Sequence, residues 1–171
     1  MTLTTNARVA GFTFWIYFAA GIASMVLAGN TPATAVLAVI TSFCALVLGV
    51  TLYAITREED RDLALMALAC RVIEAVPGHG EIYFAAGSTI FSWLLLRGRM
   101  IPAALAWLGV IASALLVILL PVQIAGFVGG ARAWSSPVTW AVWLPMLVFE
   151  LTLAVWLIAK GVAVPARRQP V

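Results

Sequence analysis

Four long apolar runs constrain this chain more than any other feature of its sequence. They cover residues 9–28, 33–55, 101–120 and 138–159, and together they contain a single charged residue, Glu150. A run of ~20 apolar residues is the length that an α-helix needs to cross the ~30 Å hydrocarbon core of a bilayer. The sequence therefore predicts an all-α integral membrane protein.

The composition supports this class and excludes others. Hydrophobic residues make up 64% of the 171 residues and charged residues 10%, against roughly 45–50% and 25% in soluble domains. The net charge is +3, but the ten Lys and Arg residues lie between apolar runs and form no basic face. We therefore expect the lipid bilayer as a partner, no nucleic acid, and a single multi-span membrane domain over residues 1–171.

The middle of the chain holds two shorter apolar segments, residues 63–76 and 81–96, separated by Pro77-Gly78-His79-Gly80. As helices they would be ~21 and ~24 Å long, less than the hydrocarbon thickness. They are predicted to be short spans or a re-entrant pair, which brings the total to about six transmembrane segments. The path of residues 121–137 stays open between a helix that continues past Pro121 and an interfacial loop.

The distribution of basic residues predicts the orientation, because Lys and Arg are enriched in short cytoplasmic loops. With the N-terminus inside, only Arg132 lies in an outer loop and only Arg71 within a span; the cytoplasmic segments hold Arg8, Arg57, Arg61, Arg97, Arg99, Lys160, Arg167 and Arg168. A single crossing by residues 63–96 would remove this asymmetry. Both termini are therefore predicted to be cytoplasmic, and the charged run 58–62 is interpreted as a solvated turn.

Three charged residues fall within predicted spans, namely Arg71, Glu74 and Glu150. A charge at the centre of a span costs about 2.5–3.5 kcal/mol on insertion scales, so such side chains usually face the interior of a helix bundle. Arg71 and Glu74 are neighbours on one helix face. Arg71 lies ~12 Å and Glu150 ~15 Å from the cytoplasmic ends of their helices, so the sequence allows all three to form one polar cluster.

The charge of this cluster leaves two interpretations open. One guanidinium cannot fully neutralise two carboxylates, so one glutamate would be protonated or would bind a cation, a substrate or water. Such a residue is typical of a ligand or proton site. The alternative is a structural clasp that fixes the register of the helices.

His79 and Glu81, beside the break between the short segments, are candidates for lining an outer vestibule. A lone His lacks the further ligands that a metal site needs, so no metal is expected. Cys44 and Cys70 lie in apolar runs and are interpreted as inert thiols. We find no phosphate-binding loop, nucleophile elbow, zinc-protease motif or haem-attachment motif, which makes an enzyme the less favoured class and leaves the cofactor unknown.

Several short stretches, taken in order, resemble a family of small bacterial membrane proteins described as domain of unknown function 4386. They are Ala7-Arg8-Val9-Ala10-Gly11, Cys70-Arg71-Val72-Ile73-Glu74-Ala75, Arg97-Gly98-Arg99-Met100-Ile101-Pro102, Phe149-Glu150-Leu151 and Trp156-Leu157-Ile158-Ala159-Lys160-Gly161. The resemblance implies a multi-span protein of the inner membrane and names no activity. The chain departs from the family pattern after Glu74, where Pro77 shortens the apolar stretch.

Three functions are compatible with these features. The first is a membrane module that binds a small molecule, a lipid or a proton at Arg71, Glu74 and Glu150, or moves it across the bilayer. The second is a structural or accessory subunit that packs against a membrane-protein partner or a second copy of the chain. The third is an intramembrane enzyme, which would need a cavity that reaches the carboxylates.

Overall fold

The computed structural model describes residues 2–76, 80–127 and 137–164. In these ranges the chain forms six α-helices and no β-strand. The helices are α1 (Leu3–Val26), α2 (Thr31–Thr56), α3 (Arg61–Glu74), α4 (Gly80–Arg97), α5 (Ala103–Ile124) and α6 (Pro137–Ala159).

Four of these helices, α1, α2, α5 and α6, are long and apolar enough to cross a membrane. Each contains 22 to 26 residues. The predicted all-α membrane class is thus confirmed. By contrast, α3 has 14 residues and α4 has 18. Of the predicted break, Gly80 is the first residue of α4, and residues 77–79 lie outside the described ranges.

The helices form a closed ring in which each packs against its neighbours in sequence and α6 packs against α1. Short turns at residues 27–30, 57–60 and 98–102 make successive helices antiparallel. A hydrogen bond of 3.2 Å from Gln123 Nε2 to Thr139 Oγ1 joins the end of α5 to the start of α6. The bundle therefore has two ends, named here the Arg97 end and the Gly80 end after the last and first residues of α4.

The Arg97 end is held together by ion pairs between two turns. The guanidinium of Arg97 lies 3.2 Å from Glu59 Oε1 and 3.4 Å from Asp60 Oδ2. Asp60 also caps α3 by accepting a hydrogen bond from the backbone N–H of Leu63. Glu59 is only 3% exposed. The interpretation of residues 58–62 as a solvated turn is therefore wrong for Glu59. The carboxylate of Glu59 is buried in an ion pair with Arg97, a residue of α4 that is distant in sequence.

The end of α5 settles part of the open question about residues 121–137. The helix passes through Pro121 and ends at Ile124, and the chain then turns at Gly126, whose φ is +79°. A positive φ of this kind is one that glycine adopts without steric cost. The remainder of that segment, residues 128–136, lies outside the described ranges.

The shortness of α3 determines where the interior of the bundle is open. At ~1.5 Å per residue, α2 is ~39 Å long and α3 is ~21 Å long. Because the two helices share the turn at the Arg97 end, α3 ends ~18 Å short of the start of α2. The missing helical length leaves space inside the ring toward the Gly80 end.

Candidate functional site

Arg71 lies at the centre of the ring, and its guanidinium contacts four other side chains, those of Glu74, Ser88, Phe84 and Glu150. Its Nη1 donates a hydrogen bond of 2.9 Å to Glu74 Oε2, and its Nη2 donates one of 3.0 Å to Ser88 Oγ. The guanidinium carbon lies 4.8 Å from the ring centroid of Phe84, within the range of a cation–π interaction. Only 2% of the Arg71 side chain is exposed.

The two carboxylates of the cluster are bound differently. Glu74 is held on both oxygens, because Tyr17 Oη donates a hydrogen bond of 3.0 Å to its Oε1 while Arg71 binds Oε2. Glu150 Oε1 lies 3.6 Å from Arg71 Nη2 and accepts no hydrogen bond from the described residues. The Glu150 side chain is 4% exposed. Glu150 is thus a buried carboxylate with an incompletely satisfied oxygen.

Two glycines bring neighbouring helices close to the backbone of Arg71. A Cβ placed on Gly49 of α2 would lie 2.9 Å from Arg71 Cβ, and one on Gly87 of α4 would lie 3.0 Å from Cys70 Cβ. Both distances are shorter than ordinary van der Waals contact, so larger residues would push the helices apart. The close approach fixes the position from which the Arg71 side chain extends toward α4 and α6.

A cavity of about 600 Å³ lies beside the cluster, between α1, α2, α6 and the ends of α3 and α4 that meet near Gly80. This volume is typical of small-molecule sites, which measure ~300–1,000 Å³. The walls are mostly apolar and aromatic, from Phe18, Gly21, Ile22, Met25, Ala38, Val76, Phe84, Trp140, Trp143, Leu144, Met146 and Leu147; the polar lining consists of Tyr17, Ser24, Thr41, Glu74, Glu81 and Glu150. The cavity occupies the space that the short helices leave within the ring.

A second cavity, of about 10 Å³, lies on the other side of the cluster toward the Arg97 end. Arg71, Ser88, Ser92 and Glu150 contribute its polar lining, and large apolar side chains surround them. This volume is about that of one water molecule. The interior is therefore spacious on the Gly80 side of Glu150 and closely packed on the other.

The structure brings Arg71, Glu74 and Glu150 together, and it places Glu81 on the wall of the large cavity. His79 lies outside the described residues. In the described part of the chain, no group of three or more His, Cys, Asp and Glu side chains is placed to hold a metal ion. The two roles predicted for the cluster, a ligand or proton site and a structural clasp between helices, stay predictions.

Sequence reasoning missed Tyr17, Ser88 and Trp143 as members of the site. Tyr17 binds Glu74, Ser88 binds Arg71, and Trp143 packs against Phe84 with ring centroids 5.6 Å apart. Tyrosine and serine are common in apolar helices, so no local signal distinguishes these two. Trp143 is one of seven tryptophans in the chain, so its residue type does not single it out either.

The comparisons with known proteins give a family and no close relative. The sequence model of one family, with the description Domain of unknown function (DUF4386), matches residues 76–161. Neither curated proteins nor solved structures yield a match. The matched range includes the Arg97–Pro102 stretch and Glu150, whereas Arg71 and Glu74 precede it. Since this range covers half of the 171 residues, the chain belongs to the DUF4386 family of proteins.

Proposed function

We propose that this protein is a membrane-embedded binding module that takes a small molecule into the large cavity, against the carboxylates of Glu74 and Glu150. The observation that carries the proposal is the location of these two buried carboxylates on the wall of a cavity of about 600 Å³. A charge in the interior of a membrane protein is costly to bury. Its position beside a space of ligand size is the arrangement expected of a binding site.

The proposal includes a membrane topology. All six helices cross or enter the bilayer of the bacterial inner membrane, with both termini in the cytoplasm. The Arg97 end then faces the cytoplasm and the cavity faces the outside. The excess of Lys and Arg at the Arg97 end supports this orientation. The ion pairs of Arg97 with Glu59 and Asp60 suit a turn at the aqueous interface.

A structural clasp is the second candidate, and the contacts of Arg71 and Glu74 favour it. Arg71 and Glu74 of α3 bind Ser88 of α4, Glu150 of α6 and Tyr17 of α1. Four helices are thereby tied by one cluster. The clasp explains these contacts but does not require a cavity. A molecule bound in the cavity would therefore distinguish a binding module from a clasp.

Native mass spectrometry of the protein, released from lipid nanodiscs, tests the proposal by detecting a bound molecule. Gly21 lines the cavity, and a Cβ on it would meet nothing within 4 Å, so Gly21→Trp places an indole in the binding space. We expect the parent protein to carry a bound small molecule or lipid and Gly21→Trp to lose it.

Gly29→Trp is the matched control. A Cβ on Gly29 would also meet nothing within 4 Å, but Gly29 lies in the turn after α1 and does not line the cavity. This variant should keep the bound molecule. A parent protein without any bound mass, or equal retention by Gly21→Trp, would contradict the proposed function.

A further inference from the structure

The wall of the large cavity contains acidic side chains but not the basic side chain of Arg71. Carboxylates reach its wall from three helices, through Glu74 of α3, Glu81 of α4 and Glu150 of α6. Arg71 is not part of this wall, and only 1% of the residue is exposed. A ligand in the cavity therefore contacts the carboxylates directly, and the carboxylates lie between it and the guanidinium.

The cluster at this wall holds two carboxyl groups and only one basic group. One guanidinium serves two buried carboxylates, and it binds Glu74 more closely than Glu150, at 2.9 Å against 3.6 Å. Oε1 of Glu150 accepts no hydrogen bond within the described part of the chain. A buried carboxylate in this state is stabilised by a further cation or donor that comes within reach. The large cavity is the space from which such a group can approach Glu150.

Aromatic rings form much of the rest of the wall. Phe18 of α1 and Trp140 and Trp143 of α6 line the cavity in addition to Phe84, whose ring already faces Arg71. Aromatic faces combined with carboxylates are the usual means of recognising organic ammonium groups. Aliphatic side chains, from Ile22, Met25, Leu144 and Leu147, extend the same wall. They suit an apolar body attached to the charged group.

From this arrangement we infer that the ligand of the cavity is an organic cation with a single positive charge and an apolar body, such as a lipophilic amine or quaternary ammonium compound. The cationic group lies against Glu150 and Glu74, and the apolar body extends between α1 and α6. This inference rests on the proposed function and adds the chemical class of the ligand.

A pair of ions with the same shape and opposite charge tests the inference. Tetraphenylphosphonium and tetraphenylborate are titrated against the protein in lipid nanodiscs, with the quenching of tryptophan fluorescence as the readout. Because both ions also enter lipid, binding is counted as specific only where Gly21→Trp abolishes it. We expect specific binding of the cation and none of the anion.

Substitutions of the two carboxylates test which of them binds the cation. Glu150→Gln is expected to weaken specific binding of the cation about tenfold or more, because the amide removes the carboxylate charge that attracts the cation in a poorly screened interior. Glu74→Gln should weaken it less, because Arg71 already neutralises Glu74, and it provides a second test if Glu150→Gln fails to fold. The matched control is Glu58→Gln, in the turn at the Arg97 end, which should leave the affinity unchanged.

Specific binding of tetraphenylborate at least as tight as that of tetraphenylphosphonium would overturn the inference. So would specific binding of the cation with unchanged affinity in both Glu150→Gln and Glu74→Gln. Absence of specific binding of either ion would also overturn it. In each of these cases the proposed function is judged separately, by whether the parent protein carries a bound molecule that Gly21→Trp loses.

Discussion

At the scale of residues, Arg71 determines the electrostatics of the interior. Its guanidinium is buried in the ring together with Glu74 and Glu150, whose side chains are 6% and 4% exposed. Removing one partner of a buried ion pair leaves an uncompensated charge and is costly, whereas replacing the whole set with neutral groups often is not. The cation and the two carboxylates therefore depend on one another.

This dependence gives a prediction for Arg71→Met. The substitution leaves two buried carboxylates without their cation, so we expect the free energy of unfolding to fall by about 3–5 kcal/mol. Glu74→Gln should have a smaller effect, because the amide oxygen of Gln still accepts the hydrogen bond from Tyr17. Titration with sodium dodecyl sulfate in mixed micelles measures both changes.

The triple variant Arg71→Met, Glu74→Gln, Glu150→Gln is the control, because it removes the charges of the cluster together. It should regain most of the stability that Arg71→Met loses. If Arg71→Met is as stable as the parent protein, the electrostatic account of the cluster is wrong.

The sequence was sufficient to select Arg71, Glu74 and Glu150 because charges are rare in apolar runs and their depths along the helices matched. Sequence spacing did not determine which carboxylate binds more closely. That depends on the rotation of α6 about its axis, which is fixed by packing against α1 and α5. For the same reason the hydroxyl groups of Tyr17 and Ser88 were not selected.

At the scale of elements, glycines set how closely the helices cross. A Cβ on Gly11 would lie 2.8 Å from the carbonyl oxygen of Ala154, and one on Gly109 would overlap the ring of Phe149. With Gly49 and Gly87, these contacts occur between α1 and α6, α5 and α6, α2 and α3, and α4 and α3. Small residues at crossings let helix backbones approach closely in membrane proteins.

We predict that Gly49→Ala lowers the free energy of unfolding by about 1–3 kcal/mol, because its methyl group would overlap Cβ of Arg71 and separate α2 from α3. The comparison is Gly21→Ala, also within a helix but with nothing within 4 Å of the added atom. That variant should be neutral or more stable by up to about 1 kcal/mol. Detergent unfolding of the two variants side by side is the measurement, and equal stabilities would contradict the prediction.

The positions of the helices were largely predictable from the apolar runs. Each observed helix overlaps a predicted segment, and the largest difference is at the start of α1, which begins at Leu3 instead of residue 9. The polar residues 3–8 carry no hydropathy signal, but Thr2 accepts a hydrogen bond from the backbone N–H of Thr5 and caps an earlier turn. The passage of α5 through Pro121 was undetermined because proline permits either a kink or an end.

At the scale of the whole molecule, the cavity has an accessible side and a closed side. Toward the Gly80 end it measures about 600 Å³, whereas toward the Arg97 end only about 10 Å³ remains next to Arg71 and Glu150. Phe14, Leu52, Phe91, Leu95, Phe149 and Leu153 line the closed side. Movement of a ligand through the protein would require these side chains to separate, so under the proposed function the structure corresponds to a state that binds from one side.

The proposed orientation predicts which turns are reachable from outside the cell. In a background of Cys44→Ser and Cys70→Ser, single cysteines are introduced as Gly29→Cys, at the Gly80 end, and as Glu58→Cys, at the Arg97 end. A membrane-impermeant maleimide should label Gly29→Cys in intact cells and Glu58→Cys only after permeabilisation. The reverse pattern would place the cavity on the cytoplasmic side.

In the proposed membrane topology, the short α3–α4 pair also shapes the electric field across the protein. Between the floor of the cavity and the Arg97 end, α3 is only ~21 Å long, so a voltage across the membrane falls over a thinner layer there than in the surrounding lipid. Each elementary charge that crosses the full voltage gains or loses ~2.3 kcal/mol per 100 mV. The buried guanidinium and carboxylates lie at the cavity side of that layer, where a change of voltage acts on them.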